Sequence, residues 1–406
     1  MTLRKTALLL AFAATSLAAV VSAVAQGKDD GKLSAGAGGW SVRMANAVMT
    51  RLPHYLTCDS SMSWNYEEGV LLQSIWNVWE ETGDSAYFDY VRRSLDYYVT
   101  DSGDIRTYDM AKFRLDDITP GRVLLELYSA TNDIKYKRAA FLLRNQLRDQ
   151  PRIREGGFWH KKIYPSQMWL DGLYMAEPFY AKFATMFDQP SDLKDVASQF
   201  VIMANHAEDP STGLFYHAWD ASLMQKWANP KTGDSPTFWG RSMGWYMMGI
   251  VDVLDYFPRE NPERTELIDI LRGLSASLLR YQDAGTGLWY QVVDRPGARG
   301  NYLESSASAM FAYAFAKGER EGYLNKRYLE AAERAFHGLV SHEILIDQRG
   351  LPTLTNICGG TGLGGRPYRD GSYDYYVSVP RKDNDFKGVG PFIMAAVEIG
   401  KAGRRR

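Results

Sequence analysis

The chain has 406 residues and is 45% hydrophobic, 23% charged and 13% aromatic, a globular mixture that excludes a disordered, collagen-like or coiled-coil protein. Its 47 Lys+Arg against 48 Asp+Glu leave a formal charge of -1, so no basic excess is present to hold a nucleic-acid backbone. The 11 Trp and 25 Tyr supply a core and also suit a groove that stacks on sugar rings.

The chain opens with Arg4 and Lys5, an apolar run over 6–21, and Ala23-Val24-Ala25. This order predicts a secretory signal over 1–25, cut after Ala25, and a periplasmic or secreted protein. A membrane anchor is the weaker reading, because the run is Ala-rich and ends in a cleavage motif; no later segment is apolar enough to span a bilayer. Residues 26–39 are polar and Gly-rich and read as a flexible leader before Trp40.

Helical periodicity then dominates. It predicts helices over 42–54, 67–82, 85–99, 121–131, 134–148 and 168–187 in the first half. The second half adds 193–206, 241–257, 262–283, 303–318, 325–341 and 388–400. Thr119-Pro120 reads as an N-cap with Pro at the first helical position, and Ser166 as a second cap. The clearest strand signal is a connector, 288–293. No Pro/Ser-rich linker divides 40–402, so twelve helices in one domain point to an all-α fold, six hairpins closed into an (α/α)6 barrel. A helical solenoid is the alternative. The long connectors 105–118, 208–238 and 342–387 suit an active-site mouth.

Several motifs carry less than they suggest. Gly240-Arg241-Ser242-Met243-Gly244 fits a nucleophile elbow but lacks the strand and parallel sheet that elbow needs. The glycines of 359–365 have no Lys-Ser/Thr after them and read as a tight loop. The six histidines form no zinc-ligand spacing, so no catalytic zinc is expected, while carboxylate loops leave calcium open. Two cysteines, Cys58 and Cys358, leave pairing open. The terminal Gly-Arg-Arg-Arg reads as a solvated tail.

The weight lies elsewhere. Asp171 is a single acid in the apolar stretch Trp169-Leu170-Asp171-Gly172-Leu173-Tyr174-Met175, with no basic residue at i±3 or i±4. Read as lying beyond the first helical turn, it should be desolvated and its pKa raised, as a proton donor requires. Asp116 and Asp117 precede a helix and could face the barrel mouth, and one of them could serve only the helix start. Aromatic and polar residues mix at Gly157–Lys161, at Tyr216–Asp220 and around Arg241, which stands between Trp239 and Trp245 like a carboxylate clamp beside stacking faces.

At these residues the chain resembles glycoside hydrolase family 105, the unsaturated rhamnogalacturonyl hydrolases. The resemblance runs through 169–175, 238–245, 303–310, 358–364 and 387–392, in order, over nearly all of 40–400. It implies an (α/α)6 barrel that removes a 4,5-unsaturated uronic acid from the non-reducing end of lyase-generated oligosaccharides, with no metal or organic cofactor. It implies that Asp171 is the proton donor and water-activating base, and that Asp116 orients sugar or water and helps keep Asp171 protonated. Arg241 would hold the uronate carboxylate, His160 and His217 the sugar hydroxyls, and Trp169, Trp239, Trp245 and Tyr66 the pocket walls. Val379 and Phe386 depart from the family pattern, which puts the aglycone sugar in doubt. Unsaturated galacturonyl-rhamnose is the favoured substrate. The alternatives are an unsaturated glucuronyl hydrolase acting on ulvan or glycosaminoglycan fragments, a sugar epimerase on the same barrel, and a non-catalytic sugar-binding toroid.

Overall fold

The computed structural model describes residues 36–54 and 63–405. The signal segment, the leader up to residue 35 and Cys58 lie outside the described residues, and the pairing of Cys58 with them.

Long helices form in hairpins. Helices α1 (Ala37–Arg51), α2 (Tyr66–Thr82), α3 (Ser85–Tyr98), α4 (Gly121–Thr131) and α5 (Ile134–Asp149) are followed by α6 (Leu170–Met186) and α7 (Asp192–Ala207). Then come α8 (Gly240–Val253), α9 (Pro262–Arg280), α10 (Ser305–Arg320), α11 (Lys326–Gly338), the short α12 (Tyr373–Ser378) and α13 (Phe386–Gly403). Two of the hairpin turns use the same device. A left-handed residue ends one helix and an Asp side chain caps the next: Gly83-Asp84 between α2 and α3, Asn132-Asp133 between α4 and α5.

The packing closes a ring. Helices α2, α4, α6, α8, α10 and α13 each touch the next, and α13 returns to α2. Outside them, α3, α5, α7, α9, α11 and α1 each back one inner helix. The inner helices are apolar nearly all round, as double-sided burial demands: from Leu170 to Ala181 every residue of α6 is buried except Asp171. This is the (α/α)6 barrel expected from the periodicity, and the closed ring excludes an open solenoid. Because each inner helix is followed by an outer one running back, all six inner N-termini share one end of the barrel.

One ionic cluster crosses the ring. Arg122 of α4 pairs with Asp252 of α8, two helices that are not neighbours in the ring. Asp252 also accepts from Tyr313 (2.5 Å) and Lys317 (2.7 Å). Burial alone would raise the Asp252 carboxyl, but Arg122 and Lys317 hold it down at about 2. The cluster ties α4, α8 and α10 together across the ring.

Local expectations are corrected at five places. The leader was to run through Gly39, yet Ala37–Gly39 already belong to α1. Thr119 does not cap α4: it is helical, continuing a 3-10 turn over Leu115–Ile118, and its hydroxyl donates to the Met175 carbonyl (3.2 Å) while Pro120 takes the N-cap position. Ser166 does not cap α6 either, because it adopts φ 61° and a strand, β1 (Gln167–Trp169), intervenes. The stretch 288–293 forms isolated bridges to Trp239 and Leu303 rather than a strand. Helix α12 had no periodic signal and lies in the connector expected to be loop. Ser242 sits within α8 with its hydroxyl on the Trp239 carbonyl (2.8 Å), which is a helix-start contact and not a nucleophile elbow.

Candidate active site

The six inner N-termini present a set of side chains at the mouth. Tyr66 starts α2, Asp116 and Asp117 precede α4, Asp171 lies in the first turn of α6, Arg241 is second in α8, Glu304 caps α10 and Lys387 is second in α13. A helix N-terminus favours negative charge, so this end of the barrel is prepared for acids and for anionic ligands.

Strand β1 pairs antiparallel with β2 (Ala218–Asp220), Trp169 opposite Ala218. The Leu170 amide also donates to the His217 carbonyl (3.0 Å), which fixes His217 beside the start of α6. His217 is fully buried, and its Nε2 lies 3.0 Å from Asp171 Oδ2. The two atoms are in direct polar contact. On the other side, His217 Nδ1 lies 2.6 Å from the Tyr376 hydroxyl.

The expected rise in the Asp171 pKa is not found. Burial raises it, but His217 above all, together with Arg241, more than offsets this and holds the carboxyl below its ordinary value. Asp171 lies in the first turn of α6 and not beyond it, where the helix dipole works in the same direction. The sequence shows no basic neighbour at helical spacing; the neutralising groups come from other elements.

His160 stacks on Trp169 (centroids 4.6 Å, 12° between planes), and Tyr164 stacks on the same indole (4.9 Å, 16°). Burial pushes His160 down to about 4, with Lys161 adding to the effect, so its ring is neutral. Its Nε2 is 3.5 Å from Asp116. Asp116 also pairs with Lys161, and the Arg114 guanidinium lies at 3.8 Å. These cations outweigh burial and hold Asp116 ionised. Its charge is spent on Lys161, which leaves little of it to keep Asp171 protonated by repulsion. Asp117 differs: burial, aided by Asp116, pushes it up to about 7.

Arg241 is only 1% exposed. Its guanidinium lies over Trp239 (4.9 Å) and donates to the Cys358 carbonyl, while Nε has no protein partner. Trp239 donates to Gln291 (3.1 Å) and stacks on Tyr376 (5.8 Å, 29°). Trp245 does not sandwich Arg241. It stacks on Tyr174 (4.9 Å) and meets Tyr66 edge-on (6.3 Å), one layer deeper. Tyr66 is raised well above its usual pKa by burial, with Glu67 and Asp116 adding to it.

Four residues here were given no role from the sequence. Tyr376 orients His217 and supports Trp239; only its place in the aromatic run 373–376 hinted at it. Glu304 accepts from the Ser306 and Ala307 amides and from Cys358 N (2.9 Å), tying the start of α10 to the loop that holds Arg241. Lys387 joins Glu67 (2.7 Å) and Asp385 (2.8 Å), and Lys161 neutralises Asp116. The departing Val379 is buried against Trp239 and Tyr376, and Phe386 opens α13. Among the described residues no group of three or more His, Cys, Asp or Glu could hold a metal ion.

Comparison with known proteins gives this geometry a family. The sequence profile of Glycosyl Hydrolase Family 88 matches residues 40–402. The solved glycoside hydrolase of family 105 from C. acetobutylicum ATCC 824 is 40% identical, with a TM-score of 0.86 over 89% of this chain and 99% of that one. Protein Atu3128 of Agrobacterium fabrum is 39% identical over 55% of this chain and 97% of its own length. The unsaturated rhamnogalacturonyl hydrolase YesR of Bacillus subtilis is 27% identical over 71% of this chain and 79% of its own. The match over residues 40–402 and the shared barrel show that the chain is a glycoside hydrolase belonging to family 88/105.

Proposed function

We propose that the protein removes a 4,5-unsaturated uronic acid from the non-reducing end of oligosaccharides, with unsaturated galacturonyl-rhamnose as the preferred substrate. The observation that carries the reading is Asp171, the one residue of its stretch of α6 that is not fully buried, in contact with His217 and within the field of the buried Arg241. The likeness to the rhamnogalacturonyl hydrolase of B. subtilis supports the choice of sugar.

The chemistry suits one acid and not a pair. The C4=C5 bond of such a sugar is an enol ether, since C5 bears the ring oxygen. In the free site Asp171 is ionised. A uronate bound against Arg241 brings a like charge beside Asp171 and spends the arginine's positive charge, and both effects raise the acid's pKa so that it takes up a proton. Asp171 then gives that proton to C4, and the positive charge at C5 is shared with the ring oxygen. Water attacks C5 and returns its proton to the Asp171 carboxylate. The hemiketal opens as the bond between C5 and the ring oxygen breaks, leaving a ketone at C5 and a hemiacetal at C1. The hemiacetal collapses to an aldehyde and the aglycone departs. One water is consumed and Asp171 is regenerated. Neutral His160 can donate to or accept from sugar hydroxyls.

Ultraviolet absorbance tests both parts, because the conjugated double bond absorbs and hydration erases it. Loss on unsaturated galacturonyl-rhamnose, with little on unsaturated glucuronyl-rhamnose or unsaturated chondroitin disaccharide, is the expected result. Loss on a glucuronyl substrate instead would move the target to ulvan or glycosaminoglycan fragments. No loss on any would remove the proposal. Asp171→Asn should bind substrate and not turn it over. We further propose export, on the signal-like residues 4–25; the mass of the mature chain in a periplasmic fraction checks it.

A further inference from the structure

We infer that the cleft beside Tyr164 binds the acidic remainder of the substrate, so that the enzyme prefers an oligosaccharide carrying a second uronate over a disaccharide. The inference rests on the proposed function above.

The cleft has a volume of about 500 Å³, inside the roughly 300–1,000 Å³ range of small-ligand sites. Tyr164, Gln167, Gln225, Gly364, Arg366 and Arg369 line it. It begins one aromatic ring from the catalytic pair: Tyr164 stacks on Trp169, and Trp169 meets His217 edge-on at 5.3 Å. Lys161, the partner of Asp116, reaches to 6.0 Å from the Tyr164 ring. A chain leaving the Asp171 end of the barrel past Trp169 would enter this cleft.

Charge decides what it takes. Two arginines line the cleft and no carboxylate does. Arg369 donates to the Gly364 carbonyl (2.9 Å) and the Tyr164 hydroxyl (3.0 Å), neutral acceptors that fix its place and leave its charge uncompensated. Arg366 is exposed at the rim. Planar guanidinium groups match a carboxylate. The larger neighbouring cleft, about 930 Å³, is lined by Glu208, Asp209 and Asp234 as well as Lys231 and His206, and would repel a uronate. The loop after β2 separates the two, giving Gln225 to one and Trp227 to the other.

The test compares an unsaturated disaccharide with an unsaturated tetrasaccharide of alternating uronate and rhamnose, and with the same tetrasaccharide methyl-esterified at its inner uronate. The protein should show the higher kcat/KM on the free-acid tetrasaccharide. Arg366→Gln should raise KM for that substrate about fivefold and leave the disaccharide within twofold. Esterification should produce the same loss in the unsubstituted protein, and Arg366→Gln should add nothing to it. A tetrasaccharide-to-disaccharide ratio unchanged by either manipulation overturns the inference alone. Failure of the unsubstituted protein to consume any of the three overturns the proposed function and the inference with it.

Discussion

The Tyr376 hydroxyl lies 2.6 Å from Nδ1 of His217, and the opposite nitrogen of that ring lies 3.0 Å from Asp171. One imidazole thus joins a short helix of the last long connector to the acid at the start of α6. The Tyr376 contact holds the plane of His217 and so fixes how its opposite nitrogen meets Asp171.

Tyr376→Phe keeps the stack on Trp239 and removes the hydroxyl. It should lower kcat about tenfold, ~1.4 kcal/mol, with KM nearly unchanged, and shift the acid limb of the kcat profile. Steady-state kinetics across pH checks it. A change confined to the thermal midpoint would mean that the hydroxyl only packs.

Arg241→Lys retains a charge and loses the planar fork over Trp239. KM for the unsaturated disaccharide should rise about thirtyfold, ~2 kcal/mol, and more than kcat falls. The far-ultraviolet circular dichroism of the variant guards against misfolding, since Arg241 also holds the Cys358 carbonyl.

Asp117 provides a pH test with a definite sign. Its folded pKa of about 7 exceeds the unfolded value of 3.8, so the folded state holds the extra proton between those values. The resulting instability is absent below pH 3.8, grows as pH rises and is complete above 7. Asp117→Asn should therefore stabilise the protein at pH 8 by about 2 kcal/mol and leave it unchanged near pH 4. Denaturation at both pH values decides it, and an equal effect at the two would refute the assignment.

Two glycines make a matched pair. Alanine at Gly172 would place its Cβ 3.1 Å from His160 Nδ1, whereas at Gly273, on the exposed side of α9, nothing lies within 4 Å. Gly273→Ala should add about 0.5–1 kcal/mol and leave the kinetics alone. Gly172→Ala should lose that gain and cut kcat/KM several-fold by displacing His160. Melting curves and kinetics on both variants check this.

Much of this was legible in the sequence, and the misses share a cause. The 3.6-residue period located the long helices because each buries a stripe, and Gly121–Thr131 matched to the residue. Helix starts failed where tertiary contacts override capping: Thr119 bonds across to Met175, and Ser166 precedes a strand that only exists because β2 pairs with it. Asp171 stood out as a lone acid in an apolar run. The state of its proton did not, because His217 and Arg241 arrive from positions 46 and 70 residues downstream, distances that no local pattern encodes. Tyr376 was hidden for the same reason, being 159 residues from the histidine it touches.

The central claim is that water and proton add across C4=C5 and that the anomeric carbon is not attacked directly. Proton nuclear magnetic resonance of the reaction in D2O tests it most directly. The account predicts loss of the vinyl H-4 signal as the aglycone is released, with a single deuterium at C4 in one configuration, and no such change with Asp171→Asn. Release of a free sugar whose vinyl proton is still intact would contradict it.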